Sequence, residues 1–291
     1  MFGTAAPPDE ILDLRGKTFA STLGVWRIRS GERTSVLKLL ALGAGPTRGW
    51  RSEAEVESPF YWRREVEVYA SDLLDGAPFR APRHQAFERR DGSVALWLED
   101  VGDPEPWPSD DIAAVTALLA SMRAPETEPP WLARGWLRRY LEVRADRVDP
   151  SMAVWQRREE ILERIEAGPI VLVHNDFHPG NVFRPGDQTV VIDWAFCGLG
   201  APGDDAGILA ADFLFDGFVP LDDPGALADH IDHIWEAYSS ALEPSLRAEA
   251  EFAYFAGNAL RYAWASAVSE RFALVYAALA SAAATRLPSF A

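Results

Sequence analysis

The sequence predicts an α+β protein of two lobes, a small antiparallel β-sheet lobe with one helix followed by a larger, mainly helical lobe. Short β-prone runs separated by turn signals fill the first hundred residues, and apolar residues recur at helical spacing over much of the remainder. Between them lies an acidic, proline-rich segment, EDVGDPEPWP. The 291 residues suffice for two lobes. We therefore expect a first lobe at 1–98, a hinge at 99–108 and a helical lobe at 109–291.

The first lobe is predicted to consist of hairpins around one helix. The β-prone runs are 17–20, 25–29, 35–40, 84–88 and 93–98. Asp91-Gly92 between the last two runs is a strong signal for a tight hairpin turn. Between the hairpins, Tyr61, Glu65 and Val68 recur at helical spacing, which predicts a helix over 59–74.

The second lobe is predicted to be helical with a few short strands. Helical patterns cover 110–122, 130–144 and 152–167, and most of the chain from Asp205 onward except a break at 218–225. The strands are predicted at 170–173, 182–183 and 189–192, the last two forming a hairpin around 185–187. The longest apolar stretch, 273–284, is too short to span a bilayer and predicts a buried helix.

The composition and charge of the chain exclude some classes of partner. The chain has 28 basic and 44 acidic residues, a formal net charge of −16, and no basic stripe that suits a phosphate backbone, so we expect no nucleic-acid partner. The excess of acids lies mainly in 141–291. The single cysteine, Cys197, permits no internal disulfide, and the first residues do not form a secretory signal. We expect a cytoplasmic protein without membrane partners, either a monomer or a homodimer.

Three oxygen-bearing side chains follow one another in the segment 171–194, VLVHNDFHPGNVFRPGDQTVVIDW. A buried strand leads into Asp176, Asn181 follows, and a return strand ends in Asp193. Phosphoryl transfer needs such a set: one carboxylate accepts a hydroxyl proton, while an amide and a second carboxylate hold Mg²⁺ at the phosphates. The pattern therefore favours phosphoryl transfer.

The runs HNDFHPGN and IDW resemble the catalytic loop and metal-binding strand of the aminoglycoside phosphotransferase family, whose patterns are similar to those of protein kinases. The resemblance implies a protein kinase-like fold that uses ATP or GTP with Mg²⁺. It also implies that Asp176 is the catalytic base and that Asn181 and Asp193 are the metal ligands. By the same resemblance, His174 and His178 brace the loop.

Two residues depart from the family pattern. Asn175 stands where the family usually has glycine, and Trp194 stands where it has phenylalanine. We expect both replacements to be tolerated.

The upstream half of the sequence tests the same resemblance. A kinase-like nucleotide lobe carries a lysine on its third strand and a glutamate on the following helix, and this ion pair aims the lysine at the phosphates. Lys38, one of only two lysines, lies in the apolar run SVLKLL, and Glu65 lies in the predicted helix. Glu67 is a competing partner, and an exposed position of Lys38 at a sheet edge is the alternative.

The remaining nucleotide contacts are positional inferences from the family. The turn 21–24 could offer backbone N–H groups of Ser21 and Thr22 to phosphate oxygens. The Glu99 carbonyl and the Val101 amide fall where the family's hinge binds adenine. Any side chain would serve at the hinge positions.

An acidic run follows the metal aspartate. Residues 201–236 contain nine acids and neither lysine nor arginine. The segment 198–210 resembles the family's segment whose aspartate caps the next helix, so we expect Asp205 to cap that helix, to support the catalytic loop and to steady the neighbourhood of Asp193. Asp204, Asp212 and Asp216 are candidate substrate residues, which favours a cationic acceptor such as an aminoglycoside or an amino alcohol; solvated helix faces are the alternative.

Two other functions fit parts of the pattern. His174, Asp176 and His178 at alternate positions could ligate zinc in a hydrolase centre. The fold could also serve as a regulatory module that binds nucleotide without transferring phosphate. Because the lysine, the glutamate, the base and both metal ligands are all present, the sequence favours a kinase of a small-molecule hydroxyl.

Overall fold

The computed structural model describes residues 7–14, 21–44, 50–103, 107, 109–184, 188–218 and 223–287. The chain divides into two compact units. Unit 1 comprises Met1–Asp103, Pro129–Ala133 and Phe183–Cys197, and unit 2 comprises Pro104–Glu128, Arg134–Val182 and Gly198–Ala291. Two segments from the later part of the chain therefore fold within unit 1. The predicted division assigns only consecutive stretches of sequence to each lobe and does not include this return of the chain.

Unit 1 is built on a five-stranded antiparallel sheet of order β1-β2-β3-β5-β4. Its strands are β1 (Glu10–Asp13), β2 (Thr22–Ser30), β3 (Arg33–Leu40), β4 (His84–Glu88) and β5 (Val94–Glu99). The sequence predicted β2 to β5 from short β-prone runs separated by turn signals. It missed β1, a short strand of four exposed residues. The predicted strand at 17–20 lies outside the described residues.

The turns of this sheet follow the predicted chemistry. Gly31 and Gly92 have φ of +62° and +79°, values that favour glycine, and each closes a hairpin. At the second hairpin, the Asp91 carboxylate accepts hydrogen bonds from the amide and hydroxyl of Ser93. The predicted Asp-Gly hairpin is confirmed.

Helix α1 (Arg64–Ala70) is shorter than the predicted helix at 59–74. Before it, the Ser58 hydroxyl accepts the Phe60 amide in a turn, so the chain is not yet helical. After it, Ser71 takes an extended conformation and its hydroxyl donates to the Val68 carbonyl. Local side-chain bonds of this kind compete with the helix at both ends.

Unit 2 is mainly helical, as predicted. Its helices are α2 (Ser109–Leu119), α3 (Trp136–Arg144), α4 (Ala153–Gln156), α5 (Arg158–Ala167), α6 (Asp204–Phe215), α7 (Pro224–Ala241), α8 (Arg247–Phe252), α9 (Asn258–Arg261) and α10 (Glu270–Arg286). A π-helical turn, Ala253–Gly257, joins α8 to α9. Helix α3 begins later than predicted because Gly135, at φ +61°, stops helical backbone at its N-terminus.

Four short strands complete the fold. β6 (Val171–Val173) pairs antiparallel with β9 (Gly198–Gly200), which the sequence did not predict, and β7 (Val182–Phe183) pairs with β8 (Val190–Val191). The turn of the second pair, 185–187, lies outside the described residues.

Helix α10 covers the predicted apolar helix at 273–284 but buries only one face. In the described part of the chain, no helix has the length and apolar character needed to cross a membrane.

Candidate active site

Unit 1 places three predicted site residues together. The Lys38 ammonium on β3 lies 2.6 Å from Glu65 Oε2 and 2.8 Å from Asp193 Oδ1. The Lys38 and Glu65 side chains are buried, whereas 40% of the Asp193 side chain is exposed. Because β3 lies between β2 and β5, Lys38 does not lie at an exposed sheet edge. The competing Glu67 instead contacts Tyr61 and Arg63.

The charges of these three groups depend on one another. Burial would lower the pKa of the Lys38 ammonium, but the Asp193 and Glu65 carboxylates outweigh it and raise that pKa. Burial raises the pKa of Glu65 to about 7, against the opposing charge of Lys38. Lys38 therefore stays charged at neutral pH, and Asp193 is the accessible carboxyl group of the three.

Asp193 is held by an unusual backbone conformation. Its φ and ψ are 59° and 56°, in the left-handed region, and the 3₁₀ turn Trp194–Phe196 follows directly. The buried Trp194 indole donates from Nε1 to the Val191 carbonyl at 2.9 Å. Tryptophan thus makes a hydrogen bond that a phenylalanine could not make.

Unit 2 contains the predicted catalytic loop directly after β6. Asn181 donates from Nδ2 to the Asp176 carbonyl at 2.9 Å and to the Asp176 carboxylate at 3.3 Å. Both residues come from one short loop, closed by the 3₁₀ turn Pro179–Asn181. The structure therefore brings the predicted base beside one predicted metal ligand.

Asp205 holds the catalytic loop rather than capping a helix. Its buried carboxylate accepts the backbone N–H groups of His174 at 2.6 Å and Asn175 at 2.9 Å. The expected capping role is wrong, because α6 begins at Asp204 with Gly203 at its cap and no side-chain bond there. Burial raises the pKa of Asp205 to about 7, against these two hydrogen bonds. Asn175 has φ +65°, which asparagine tolerates better than most non-glycine residues.

We expect the substitution Asp205→Asn to lower the free energy of unfolding by about 1–3 kcal/mol at neutral pH. The amide NH₂ would face one of the two loop N–H groups and leave it without an acceptor. Urea unfolding measures the change, with the exposed Asp229→Asn on α7 as the matched control. Equal stability of the two variants would contradict the loop-holding role.

Both predicted histidines lie within this loop. The His178 ring accepts the Gly180 amide on Nδ1 at 3.1 Å, which fixes the turn. The buried His174 ring packs edge-on against Phe177, with 5.9 Å between ring centroids. Throughout the described residues, no group of three histidines, cysteines or carboxylates is arranged to hold a metal, so the zinc alternative finds no support.

The three candidate substrate aspartates occupy different environments. Asp204 is buried and ion-paired with Arg261 at 3.3 Å, so the expectation that it contacts substrate is replaced by a structural role. Asp212 accepts the Tyr262 hydroxyl at 2.9 Å. Burial raises the pKa of Asp212 to about 7, with opposing influences from the His178 and Asp176 charges. Asp216, after the last residue of α6, is exposed.

The backbone segments that were predicted to contact the nucleotide lie at the start of β2 and at the end of β5. Residues 22–24 are the irregular start of β2 rather than a turn, because they already pair with β3. The Ser21 carbonyl accepts the Ala41 amide. Glu99 ends β5 and binds Arg80 through both carboxylate oxygens, and Val101 follows two residues later.

Two residues that the sequence reasoning did not assign also belong to this framework. Tyr262 donates its hydroxyl to Asp212, as described above. Arg64 is completely buried beside Glu65. Its signal was available, since an arginine one helical turn before the apolar Val68 lies on the inward face of α1.

Each of the two predicted metal ligands, taken within its own unit, offers an oxygen atom of the kind that divalent cations such as Mg²⁺ prefer. The amide nitrogen of Asn181 is committed to Asp176, so the amide oxygen is the atom that can serve as a ligand. Asp193 supplies a partly exposed carboxylate. Mg²⁺ prefers oxygens of this kind.

Comparison with known proteins gives partial matches to curated sequences. The chain is 36% identical to the methylthioribose kinase of Geobacillus thermodenitrificans over 87 residues and 34% identical to that of Geobacillus kaustophilus over 104 residues. These matches cover 30% and 34% of this chain and span only 22% and 26% of the length of those two relatives.

Solved structures match almost the whole chain. The amicoumacin kinase hAmiN, in complex with AMP-PNP, Ca²⁺ and Ami, is 16% identical, with a TM-score of 0.61 over 96% of this chain and 89% of its own. A choline/ethanolamine kinase family protein from Mesorhizobium loti is 15% identical, with a TM-score of 0.56 over 99% and 91%. These likenesses confirm the predicted kinase-like fold. The family model described as APH, phosphotransferase enzyme family, matches residues 25–243. Since that match covers most of the sequence, the chain belongs to the phosphotransferase enzyme family.

Proposed function

We propose that the protein transfers the γ-phosphoryl group of ATP or GTP to a hydroxyl of a small molecule, with Mg²⁺ as the metal. The observation that carries this proposal is the position of Lys38 between Glu65 and Asp193. Family membership supports it, because the catalytic loop and metal-binding strand in this chain match the family's motifs.

Each residue has a distinct role in the proposed reaction. Asp176 accepts the proton of the acceptor hydroxyl while that oxygen bonds to the γ-phosphorus and the bond to the nucleoside diphosphate breaks. Lys38 neutralises phosphate oxygens, and Glu65 keeps its ammonium in place. Asn181 and Asp193 hold Mg²⁺, whose charge, when it is bound, offsets that of the phosphates. Catalysis is thus mainly positioning and charge neutralisation.

Binding of the nucleotide uses backbone groups as well. We place the Glu99 carbonyl and the Val101 amide at the base, and the amides of Ser21 and Thr22 at phosphate oxygens. We place the enzyme in the cytoplasm, where its single buried cysteine would stay reduced.

A cationic acceptor is the finer part of the proposal. Asp212 is electrostatically linked to both Asp176 and His178, and it adds negative charge near the proposed base. The exposed Asp216 is linked to His178 as well. An amino alcohol or aminoglycoside would place its ammonium against these carboxylates. The relatives named methylthioribose kinase make a sugar the competing acceptor class.

Nucleotide consumption with Mg²⁺ across aminoglycosides, amino alcohols and sugars tests this function, with Asp176→Asn run beside the wild type. We expect consumption that depends on one acceptor class and is lost in the variant. Stoichiometric nucleotide binding without consumption for any acceptor would instead favour the regulatory module. Consumption only with sugars would overturn the cationic preference while leaving the kinase activity intact.

The substitution Asp212→Asn separates substrate binding from stability. Loss of a charge-assisted contact is expected to raise KM for an amino acceptor by about 10- to 100-fold. Because the pKa of Asp212 is raised in the folded protein, its protonated form stabilises the fold at low pH. That stabilisation is lost as the pH rises through about 7 and the carboxyl group ionises. The variant should therefore melt at a higher temperature than wild type at pH 8.5 and show little difference at pH 4.

Thermal unfolding at the two pH values and acceptor titrations make these measurements, with Asp229→Asn as the control. An unchanged KM for the amino acceptor would show that Asp212 does not bind the ammonium. A stability gain of equal size at both pH values would show that Asp212 is ionised in the folded protein at low pH as well.

A further inference from the structure

Arg64 is a buried cation whose hydrogen bonds all go to main-chain carbonyl groups. Its side chain has no exposed surface. Nε donates to the Trp131 carbonyl at 2.6 Å, and Nη1 donates to the carbonyls of Pro59 at 2.7 Å and Ala195 at 3.1 Å. Nη2 donates to the Ser58 carbonyl. Among the described residues, no carboxylate forms an ion pair with it.

Burying the Arg64 guanidinium costs desolvation free energy, so an arginine is favoured at this position only if its geometry is needed. Burial lowers the pKa of Arg64 to about 10, which still leaves it charged at neutral pH. An apolar side chain of similar volume would fill the same space without desolvating a charge. Arginine differs from every apolar residue in its rigid, planar fork of five donors. The fork can fix several carbonyls at set distances from one another.

The carbonyls come from three separate segments of unit 1. Ser58 and Pro59 precede α1, Trp131 belongs to the segment Pro129–Ala133, and Ala195 belongs to the turn after Asp193. A main-chain bond from the Ala133 amide to the Cys197 carbonyl, 3.0 Å, joins the last two segments a second time. Arg64 is therefore the side chain that joins the start of α1 to the turn Trp194–Phe196.

This connection bears on both partners of Lys38. Glu65 is the next residue on α1, and Asp193 lies two residues before Ala195. Any shift of the turn relative to α1 changes the distance between the two carboxylates that Lys38 bridges. The Trp50 ring lies near Phe60 and Phe196 as well, with centroids 5.6 Å and 6.2 Å away, so apolar packing supports the same junction.

We propose that Arg64 is a positioning residue that fixes Asp193 relative to Glu65 and so keeps Lys38 and the metal-binding carboxylate in register for nucleotide. The effect on nucleotide rests on the proposed function; the effect on the turn does not. In the proposed role, Arg64 itself contacts neither Lys38 nor a reacting atom. It acts through the backbone on either side of them.

The single cysteine gives a direct reporter of the turn. Cys197 follows Phe196 immediately, is completely buried, and is the only thiol in the sequence. The rate at which Ellman's reagent modifies it measures how often this segment opens. The affinity for the Mg²⁺ complex of AMP-PNP, measured by calorimetry on the folded fraction, is the second readout.

Arg64→Met removes the fork at similar volume, and Arg64→Lys keeps the charge with a single donor group. The control is Val68→Ala, which creates a small cavity on the same buried face of α1. All proteins are compared at equal distances below their own melting temperatures. We expect the Arg64 variants to react at least about tenfold faster at Cys197 than the control and to bind the nucleotide at least about tenfold more weakly.

Equal Cys197 rates in the Arg64 and Val68 variants would overturn the proposal, as would an unchanged nucleotide affinity in Arg64 variants of a protein that binds nucleotide. If Arg64→Met does not fold, Arg64→Lys carries the same comparison. A wild-type protein that binds no nucleotide would overturn the proposed function, while the Cys197 rates would still decide whether Arg64 holds the turn.

Discussion

Replacing Asp176 with alanine is expected to lower kcat by about 10²- to 10⁴-fold while nucleotide affinity stays within about twofold of wild type. The carboxylate is the proposed proton acceptor, and it is not among the groups that contact phosphate or metal. Removing it therefore raises the barrier of the transfer step and leaves ground-state binding of the nucleotide nearly unchanged.

The loop geometry makes this variant a clean test. Asn181 donates to the Asp176 main-chain carbonyl at 2.9 Å, a bond that survives the substitution, in addition to the longer bond to the carboxylate. Asp205 still holds the loop through the amides of His174 and Asn175. The proposed metal ligand should therefore stay in place when the base is removed.

Single-turnover kinetics with the acceptor identified by screening, together with AMP-PNP titration, supply the two measurements. Asp229→Asn, on the exposed face of α7, controls for the loss of one negative charge. Turnover near the wild-type rate would show that Asp176 is not the base. A parallel loss of nucleotide affinity would show instead that its carboxylate acts in binding.

The parts of the fold that could be predicted are those set by local pattern. Strands β2 to β5 follow from β-prone runs separated by turn signals, and their turns follow from glycine and aspartate chemistry. The Lys38–Glu65 pair was predicted because a lysine within an apolar strand needs a charged partner. Each of these inferences uses residues of one element, or a partner that the family motif already specifies.

The parts that could not be predicted depend on contacts between distant residues. Asp204 was interpreted as a substrate group, since the sequence does not show that Arg261 folds against it. For Asp205 the family resemblance implied both a helix cap and loop support, and only the loop support is confirmed, because its carboxylate accepts the amides at 174 and 175. The Arg64 fork likewise joins carbonyls as far along the chain as Ala195.

Replacing Lys38 with methionine should cost both stability and activity, and a second substitution should separate the two. Without the ammonium, Glu65 would remain buried with Asp193 as its nearest charge. Breaking a buried ion pair in this way lowers the free energy of unfolding by about 3–5 kcal/mol. Turnover should fall by about 10²- to 10³-fold, because no other side chain in the proposed mechanism places a positive charge at the phosphates.

The double variant Lys38→Met/Glu65→Gln should regain most of the lost stability, since the buried carboxylate is gone, but none of the lost turnover. The pH dependence gives an internal check. The pKa of Glu65 is already raised to about 7 beside Lys38 and should rise further without it, so the single variant should lose less stability at pH 5, where Glu65 binds a proton, than at pH 8.5.

Urea unfolding at both pH values measures the stabilities, and nucleotide consumption measures the activity. If the double variant is as unstable as Lys38→Met alone, the buried charge of Glu65 is not the cause of the loss. If the double variant regains turnover, the proposed role of the Lys38 ammonium at the phosphates is wrong, because methionine cannot supply its charge. The two measurements thus test the structural and the chemical role of Lys38 independently.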